Sequence, residues 1–313
     1  MTRPKLLKGD AVEVLKGLKD ENVQCVVTSP PYWGLRDYGS EGQLGLEETP
    51  EEYVENMVSV FQEVKRVLRK DGTVWMNLGD TYGKQVGKGF NTHEEDGSGN
   101  RVTEMQEKHG DIKVKTGLPS KNLVGIPWRV ALALQADGWI LRSDIIWHKP
   151  NPMPESVKDR PTKSHEYIFL LTKSQKYYYD HEAIKEKGSG RIPGNKVPQK
   201  GAGMVGFEIR DGLFKIQGEP QNSRNKRSVW KITTKPYKEA HFATFPEEIP
   251  ETCIKAGTKR GDVVLDPFVG SGTVCAVASR LGRDSIGIDL SEEYLKLARK
   301  RCKTDSESLL KYV

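Results

Sequence analysis

The sequence predicts a doubly wound α/β fold, a parallel sheet covered by helices on both faces. Three features carry that expectation. Short apolar runs alternate with helix-patterned stretches in both halves of the 313-residue chain. A Gly-rich turn over 267–272 links a strand pattern to a helix pattern, the junction at which such sheets bind ligands. A second unusual turn, Ser29-Pro30-Pro31-Tyr32, ends the most apolar run of the first half. The length suits one large domain carrying an insertion, or two small domains.

Lys5 to Lys8 reads as a short strand, and Ala11 to Leu18 as a helix with Val12, Leu15 and Leu18 on one stripe. Val23 to Thr28 is nearly continuous in apolar residues, as a buried parallel strand requires. Thr49-Pro50-Glu51-Glu52 supplies an N-cap, a proline at N1 and two acids for the first turn. The helix it opens runs to about Leu68, with Val54, Met57, Val58, Phe61, Val64, Val67 and Leu68 inward. Asp71-Gly72 ends it, and Thr73 to Leu78 is the next strand. Gly83 to Asn122 is polar, Gly-rich and too long for an ordinary connection: a disordered stretch or a mobile functional loop. A helix from Pro127 to about Ala136 stops near Gly138, and strands follow at Ile140–Trp147 and Tyr167–Thr172. Late in the chain come a helix over Phe245–Ala256, a strand over Asp262–Asp266, a helix over Thr273–Leu281 and a strand over Ser285–Asp289. Ser291, with Glu292 and Glu293 behind it, caps a last helix to about Lys303.

Charge is unevenly distributed. The chain carries +6 overall, yet Ala183 to Ala240 holds 13 basic residues against five acidic, leaving −2 for the remainder. That segment is either a solvated basic loop or a module that contacts a polyanion. No run of about 18 apolar residues exists to span a membrane, and no apolar stretch follows the basic start as in a secretory signal. Cys25, Cys253, Cys275 and Cys302 are scattered without a C-x-x-C pair, and His93, His109 and His181 show no metal spacing. A reducing cytoplasm and no metal are the expectation.

Two turns carry chemistry. In Asp266-Pro267-Phe268-Val269-Gly270-Ser271-Gly272-Thr273 a strand enters a Gly-rich loop that opens a helix, with Asp289 ending the next strand. The loop lets backbone approach a ligand, and an acid at that point accepts hydrogen bonds from both hydroxyls of a ribose. Cys275 stands where a dinucleotide fingerprint wants a third glycine. A nucleoside without a pyrophosphate, such as S-adenosylmethionine, therefore fits better, a ligand-free tight turn being the plainer alternative. In Thr28-Ser29-Pro30-Pro31-Tyr32-Trp33 the prolines hold the chain extended and donate no N–H. The Ser29 side chain and the Pro30 carbonyl become acceptors, with Tyr32 and Trp33 as flat faces. That set suits a planar ring bearing an exocyclic amine.

On these residues the chain resembles the amino-methylating DNA methyltransferases, marked by [S/N/D]-P-P-[Y/F/W] together with a D-P-F-x-G-S-G-T loop. The resemblance covers nearly the whole chain. Gly9-Asp10 is similar to that family's acidic contact near the cofactor adenine, and His241-Phe242-Ala243-Thr244-Phe245-Pro246 to its helix-forming cofactor motif. The catalytic motif precedes the cofactor loop with the basic segment between, an order that looks like the permuted β group. The resemblance thus implies a Rossmann-like methyltransferase sheet: a catalytic part over 1–182, a target-recognition region over 183–240 and a cofactor part over 241–313.

It implies S-adenosyl-L-methionine as cofactor, with Asp10, Thr28, Phe245, Asp266, Pro267, Phe268, Gly270, Ser271, Gly272, Thr273 and Asp289 around it. It implies Ser29, Pro30, Pro31 and Tyr32 as the catalytic turn, and Trp33, Lys149, Arg191, Arg224, Lys226 and Arg227 as contacts to double-stranded DNA. Lys149, Arg160, His165 and Glu166 fall in stretches similar to those flanking the family's base pocket. The methyl group then passes directly to an amine of a flipped-out base, with Tyr32 stacked on it and the surplus proton leaving to water. Ser29 resembles the N4-cytosine members, whereas aspartate is usual there in N6-adenine enzymes; cytosine is favoured and adenine is the alternative. RNA or protein methylation is a more distant one. A homodimer and a cognate restriction endonuclease follow from the family's habits alone.

Overall fold

The computed structural model describes residues 4–83, 116–188, 222–234 and 246–310, with side chains as far as Lys303. Arg191, Phe245, most of the stretch from Gly83 to Asn122 and the middle of the basic segment lie outside the described residues. In chain order the elements are β1 (Lys5–Lys8), α1 (Ala11–Lys16), β2 (Val23–Thr28), α2 (Pro50–Val67), β3 (Leu68–Leu78), α3 (Ile126–Ala136), β4 (Ile140–His148) and β5 (His165–Thr172). They continue with β6 (Glu186–Lys187), β7 (Ser223–Arg224), β8 (Val229–Lys231), α4 (Glu248–Gly257), β9 (Val263–Asp266), α5 (Thr273–Arg280), β10 (Asp284–Asp289) and α6 (Glu292–Leu310). The chain divides into two compact units, Met1–Tyr179 with Ser228–Val313, and Asp180–Arg227.

The larger unit is built on an eight-stranded sheet in the order β1-β10-β9-β2-β3-β5-β4-β8. From β1 across to β3 all neighbours are parallel. The expected parallel sheet holds across these strands, and beyond them β5 runs antiparallel to both β3 and β4. Parallel neighbours require a long crossover, usually a helix. The β4–β5 connection instead carries Pro150, Pro152, Pro154 and Pro161 and forms no helix, so the chain returns beside β4 in the opposite direction.

β2 is buried along its whole length, as its apolar run requires. Helices α1, α2 and α3 share one core with Leu7, Val26, Met76 and Ile288. On the opposite face Leu6 packs with Cys275 of α5 and Leu295 of α6, while Gly257 of α4 lies against Cys25, Thr73 and Trp75. All four cysteines are buried, and no disulfide joins them.

α2 begins as its sequence requires. Thr49 Oγ1 accepts the Glu52 N–H at 3.2 Å, and Glu52 Oε2 accepts the Thr49 N–H at 3.3 Å, a complete capping box. Its buried stripe is Tyr53, Met57, Val60, Phe61, Val64 and Val67, with Val54 and Val58 only half-buried. The helix also ends sooner than its pattern suggests. Leu68 is already extended at φ −73° and ψ 137° and pairs with Val23 of β2. Asp71-Gly72 therefore sits inside β3, where a Cβ on Gly72 would come within 2.7 Å of Leu68. α6, in contrast, continues past Lys303 to Leu310.

Neighbouring strands β2 and β9 mark where the winding reverses: from β2 the chain proceeds to β3, from β9 to β10. In open α/β sheets ligands bind outside the carboxyl ends of strands at such a switch point. Thr28 and Asp266 stand at those two ends.

The smaller unit, Asp180–Arg227, shows a short 3₁₀ turn at Glu182–Ile184 and the antiparallel pair β6–β7 among its described residues. Within it Glu186 Oε1 accepts from Arg224 Nε at 2.8 Å and from Arg227 Nε at 2.6 Å. β8, which follows in sequence, belongs to the larger sheet through pairing with β4.

Candidate active site

The site begins with a buried polar clasp between the two central strands. Thr28 Oγ1 donates to Asp266 Oδ1 at 2.7 Å, and the Phe268 N–H donates to the same oxygen at 3.1 Å. Asp266 is only 2 % exposed, and burial pushes its carboxyl up to about 7 against the pull of those two donors. The clasp holds Pro267 and Phe268 at the mouth of the switch point, where both line an open cleft.

Asp289, at the end of β10, shapes the opposite wall. Its Oδ2 accepts the Gly270 N–H at 2.9 Å and its Oδ1 the Ser291 N–H at 2.8 Å. Burial raises this carboxyl as well, opposed by both N–H donors. Asp10 caps α1 by accepting the Glu13 N–H at 3.1 Å and lines the same cleft. Ser29 and Pro31 reach it from the end of β2, so both sequence-marked turns open into one space.

Two aromatic residues that sequence reasoning missed complete the cleft. Tyr38 and Tyr294 line it with ring centroids 6.2 Å apart at 73°. Tyr38 lies on an irregular loop without periodicity, and Tyr294 resembles any apolar position of a helical first turn. Acidic acceptors between aromatic walls suit a planar nucleoside with free hydroxyls. S-adenosylmethionine carries such a group, so the residues present fit it.

Not every residue of the Gly-rich loop faces the cleft. Arg301 donates to Thr273 Oγ1 at 2.8 Å, to Ser271 Oγ at 3.3 Å and to Glu247 Oε1 at 2.7 Å. The Ser271 and Thr273 hydroxyls thus tie the loop to α6. Gly272 has φ +83°, and a Cβ there would stand 2.8 Å from Ala298, so this glycine serves the close approach of α5 to α6. Thr28 and Asp266 act behind the wall and do not form it.

Behind the Ser-Pro-Pro-Tyr turn lies a second polar cluster. The Tyr32 hydroxyl donates to Glu166 Oε2 at 2.7 Å and receives a long bond from Ser29 Oγ at 3.4 Å. Asn77 Nδ2 donates to the same Glu166 oxygen at 3.1 Å, and Lys149 Nζ binds the other. Lys149 also lies 4.3 Å from the centroid of Trp147. Burial, then the Glu166 charge, holds the Tyr32 phenol well above its usual pKa. The backbone of the turn is anchored where Tyr53 of α2 donates to the Pro31 carbonyl at 2.8 Å, and Pro30 is buried.

Trp33 corrects an expectation. It is 1 % exposed, and its indole N–H donates to the Glu47 carbonyl at 2.9 Å. It packs in the core and presents no face to DNA. Arg160 and His165 make contacts outside this cluster: Arg160 pairs with Glu155 at 2.7 Å, and His165 meets the Tyr167 ring edge-on.

Residues 23–300 match the family model described as DNA methylase, the group of N6 and N4 enzymes. The chain belongs to this DNA methylase family. The methylase is 46 % identical to the Type II methyltransferase M.Cfr9I of Citrobacter freundii over 98 % of its own length and 90 % of that protein's. Its fold is similar to that of PvuII DNA methyltransferase, described as cytosine-N4-specific, with a TM-score of 0.64, 20 % identity and coverage of 98 % and 92 %. It is similar too to TTHA0409 from Thermus thermophilus, solved in complex with S-adenosyl-L-methionine: TM-score 0.60, 22 % identity, coverage of 97 % and 94 %. Among the described residues no helix of the methylase is long and apolar enough to cross a membrane.

Proposed function

We propose that this methylase transfers a methyl group from S-adenosyl-L-methionine to the exocyclic N4 of a flipped-out cytosine in duplex DNA. The observation that carries the reading is the meeting of Ser29 with Asp10 and Asp289 in one cleft at the switch point. When bound, the cofactor supplies an electrophilic methyl group on a sulfonium. Asp10 and Asp289 hold the nucleoside by its polar groups, and Tyr38, Tyr294 and Phe268 enclose its flat part. Ser29 and the Pro30 carbonyl accept the two N–H bonds of the target amine. That favours a pyramidal nitrogen whose lone pair is withdrawn from the ring, and it stabilises the positive charge that develops there. Tyr32 stacks on the base, which a duplex would otherwise hide.

Cytosine is supported by the uncharged Ser29 in the first position of the motif, and by likeness in fold to a cytosine-N4-specific enzyme. The segment 183–240 reads the DNA, supported by its charge of +8. A partnership with a restriction endonuclease accords with the Type II name of M.Cfr9I. An enzyme with that substrate works in the cytoplasm.

Incubation with labelled S-adenosylmethionine and mixed-sequence duplex DNA, followed by digestion to nucleosides, tests the reading. Label is expected in N4-methylcytosine. Label in N6-methyladenine would keep the chemistry and overturn the role given to Ser29 in choosing the base. Label in neither, with cofactor binding demonstrated, would refute the DNA assignment for the sequences supplied.

A further inference from the structure

We propose that Glu166 is a positioning residue which, through the Tyr32 hydroxyl, turns the lone pairs of Ser29 toward the target amine. This rests on the reading of Ser29 as an acceptor for that amine. A serine hydroxyl rotates, and it can donate or accept. Its identity alone does not make Ser29 an acceptor; something must occupy its proton.

The direction of the hydrogen-bond chain does so. An ionised carboxylate can only accept. Glu166 Oε2 lies 2.7 Å from the Tyr32 hydroxyl, so Tyr32 gives its proton there. Asn77 Oδ1 is also within reach at 3.1 Å, but the shorter bond to a charged acceptor is the stronger. The Tyr32 oxygen is left to accept, and Ser29 Oγ donates to it at 3.4 Å. With its single proton pointed at Tyr32, Ser29 has only lone pairs for the cleft.

The rest of the cluster holds this chain in place. Lys149 Nζ binds Glu166 Oε1, and Asn77 Nδ2 binds Oε2 while also donating to the Tyr167 carbonyl at 3.0 Å. The Tyr32 ring lies so close to Gly79 that a Cβ there would stand 2.5 Å from its Cε2. Glycine at 79 is what lets the phenol lie along this path to the carboxylate.

Glu166→Gln tests the assignment while changing little in shape. Lys149 would claim the amide oxygen, leaving the amide N–H₂ to face Tyr32. Tyr32 would then accept from residue 166 and donate elsewhere, releasing the Ser29 proton toward the cleft. Single-turnover methyl transfer to duplex DNA and S-adenosylmethionine Kd are measured for wild type, Glu166→Gln, Tyr32→Phe and the double variant. A loss of about tenfold in rate is expected for Glu166→Gln, the equivalent of one hydrogen bond, with cofactor Kd unchanged. Adding Glu166→Gln to Tyr32→Phe should cost nothing further, because the connection is already cut.

A binding readout accompanies the rates. The preference of the protein for duplexes with cytosine over 2-pyrimidinone, which lacks the amine, at the methylated position should shrink in Glu166→Gln. A wild-type rate in Glu166→Gln, or the same fractional loss in the Tyr32→Phe background, would overturn the proposal. Glu166→Asp keeps the charge beside Lys149 but draws the carboxylate back from Tyr32, and should be slow in the same way. Lost cofactor affinity in both variants would make Glu166 a support of the fold and overturn the proposal. A wild-type protein that methylates no DNA would refute the functional reading itself, and this assignment with it.

Discussion

Asp266→Asn should make the protein more stable in alkaline solution and abolish part of its pH dependence. Both donors to Asp266, the Thr28 hydroxyl and the Phe268 N–H, converge on Oδ1. Asparagine retains that oxygen and places its amide nitrogen at the position of Oδ2. In the folded chain burial holds the proton on Asp266 up to about 7, whereas an unfolded aspartate releases it near ~4. Between those values the unfolded state binds fewer protons, so stability from this group falls as pH rises. The full difference is worth about 4 kcal/mol once both states are ionised, an order-of-magnitude figure. Urea unfolding at several pH values from about 4.5 to 8.5 measures it for wild type and variant. The variant is expected to match wild type near the acid end, to gain on it as pH rises toward about 7, and to keep a constant lead above that. Parallel curves across that window would refute the account of a buried, proton-retaining carboxyl between β2 and β9.

Other perturbations test separate parts. Gly272→Ala would push a Cβ to within 2.8 Å of Ala298 at a φ of +83°, and should cost about 2 kcal/mol or more in urea unfolding; unchanged stability would mean that α5 and α6 are not pressed together there. Tyr53→Phe removes a partly buried 2.8 Å bond to the Pro31 carbonyl and should cost about 1 kcal/mol, with turnover falling as the Ser-Pro-Pro-Tyr turn loosens. Charge reversal at Arg224, Lys226 and Arg227 should weaken duplex DNA binding and flatten its salt dependence by about one for each phosphate no longer neutralised; unchanged affinity would move the recognition region elsewhere.

Much of the fold was legible because its signals are local. β1 and β2 occupy the residues that their apolar runs mark, and Thr49-Pro50 with Glu52 starts α2 where a capping box must. The misread places depended on partners distant in sequence. Leu68 continues a helical stripe, yet its pairing with Val23 draws it into β3. The reversal of β5 lay in a proline-rich connection too irregular for a helix, a cue weaker than strand–helix alternation.

The site divides in the same way. Ser29, Asp266 and Asp289 could be picked out because each ends an apolar strand at the ligand-binding edge of the sheet. Tyr38 and Tyr294 could not, since only the folded chain brings the loop after Trp33 to the first turn of α6. Trp33 looked like a platform beside the catalytic turn, but the Glu47 carbonyl claims its N–H and the core covers its ring. Ser271 and Thr273 matched a cofactor loop in sequence, while Arg301, nearly thirty residues later, determines where their hydroxyls point.

Under the proposed function one cleft divides its labour, Asp289 holding the cofactor and Ser29 engaging the amine. Single-turnover methylation and S-adenosylmethionine affinity, measured side by side in Ser29→Ala and Asp289→Ala, test it most directly. Ser29→Ala is expected to slow transfer by about 10- to 100-fold with cofactor Kd within about twofold of wild type. Asp289→Ala is expected to weaken cofactor binding by about tenfold or more, with most of the rate recovered at saturating cofactor. Equal losses of rate and affinity in both variants would contradict the division.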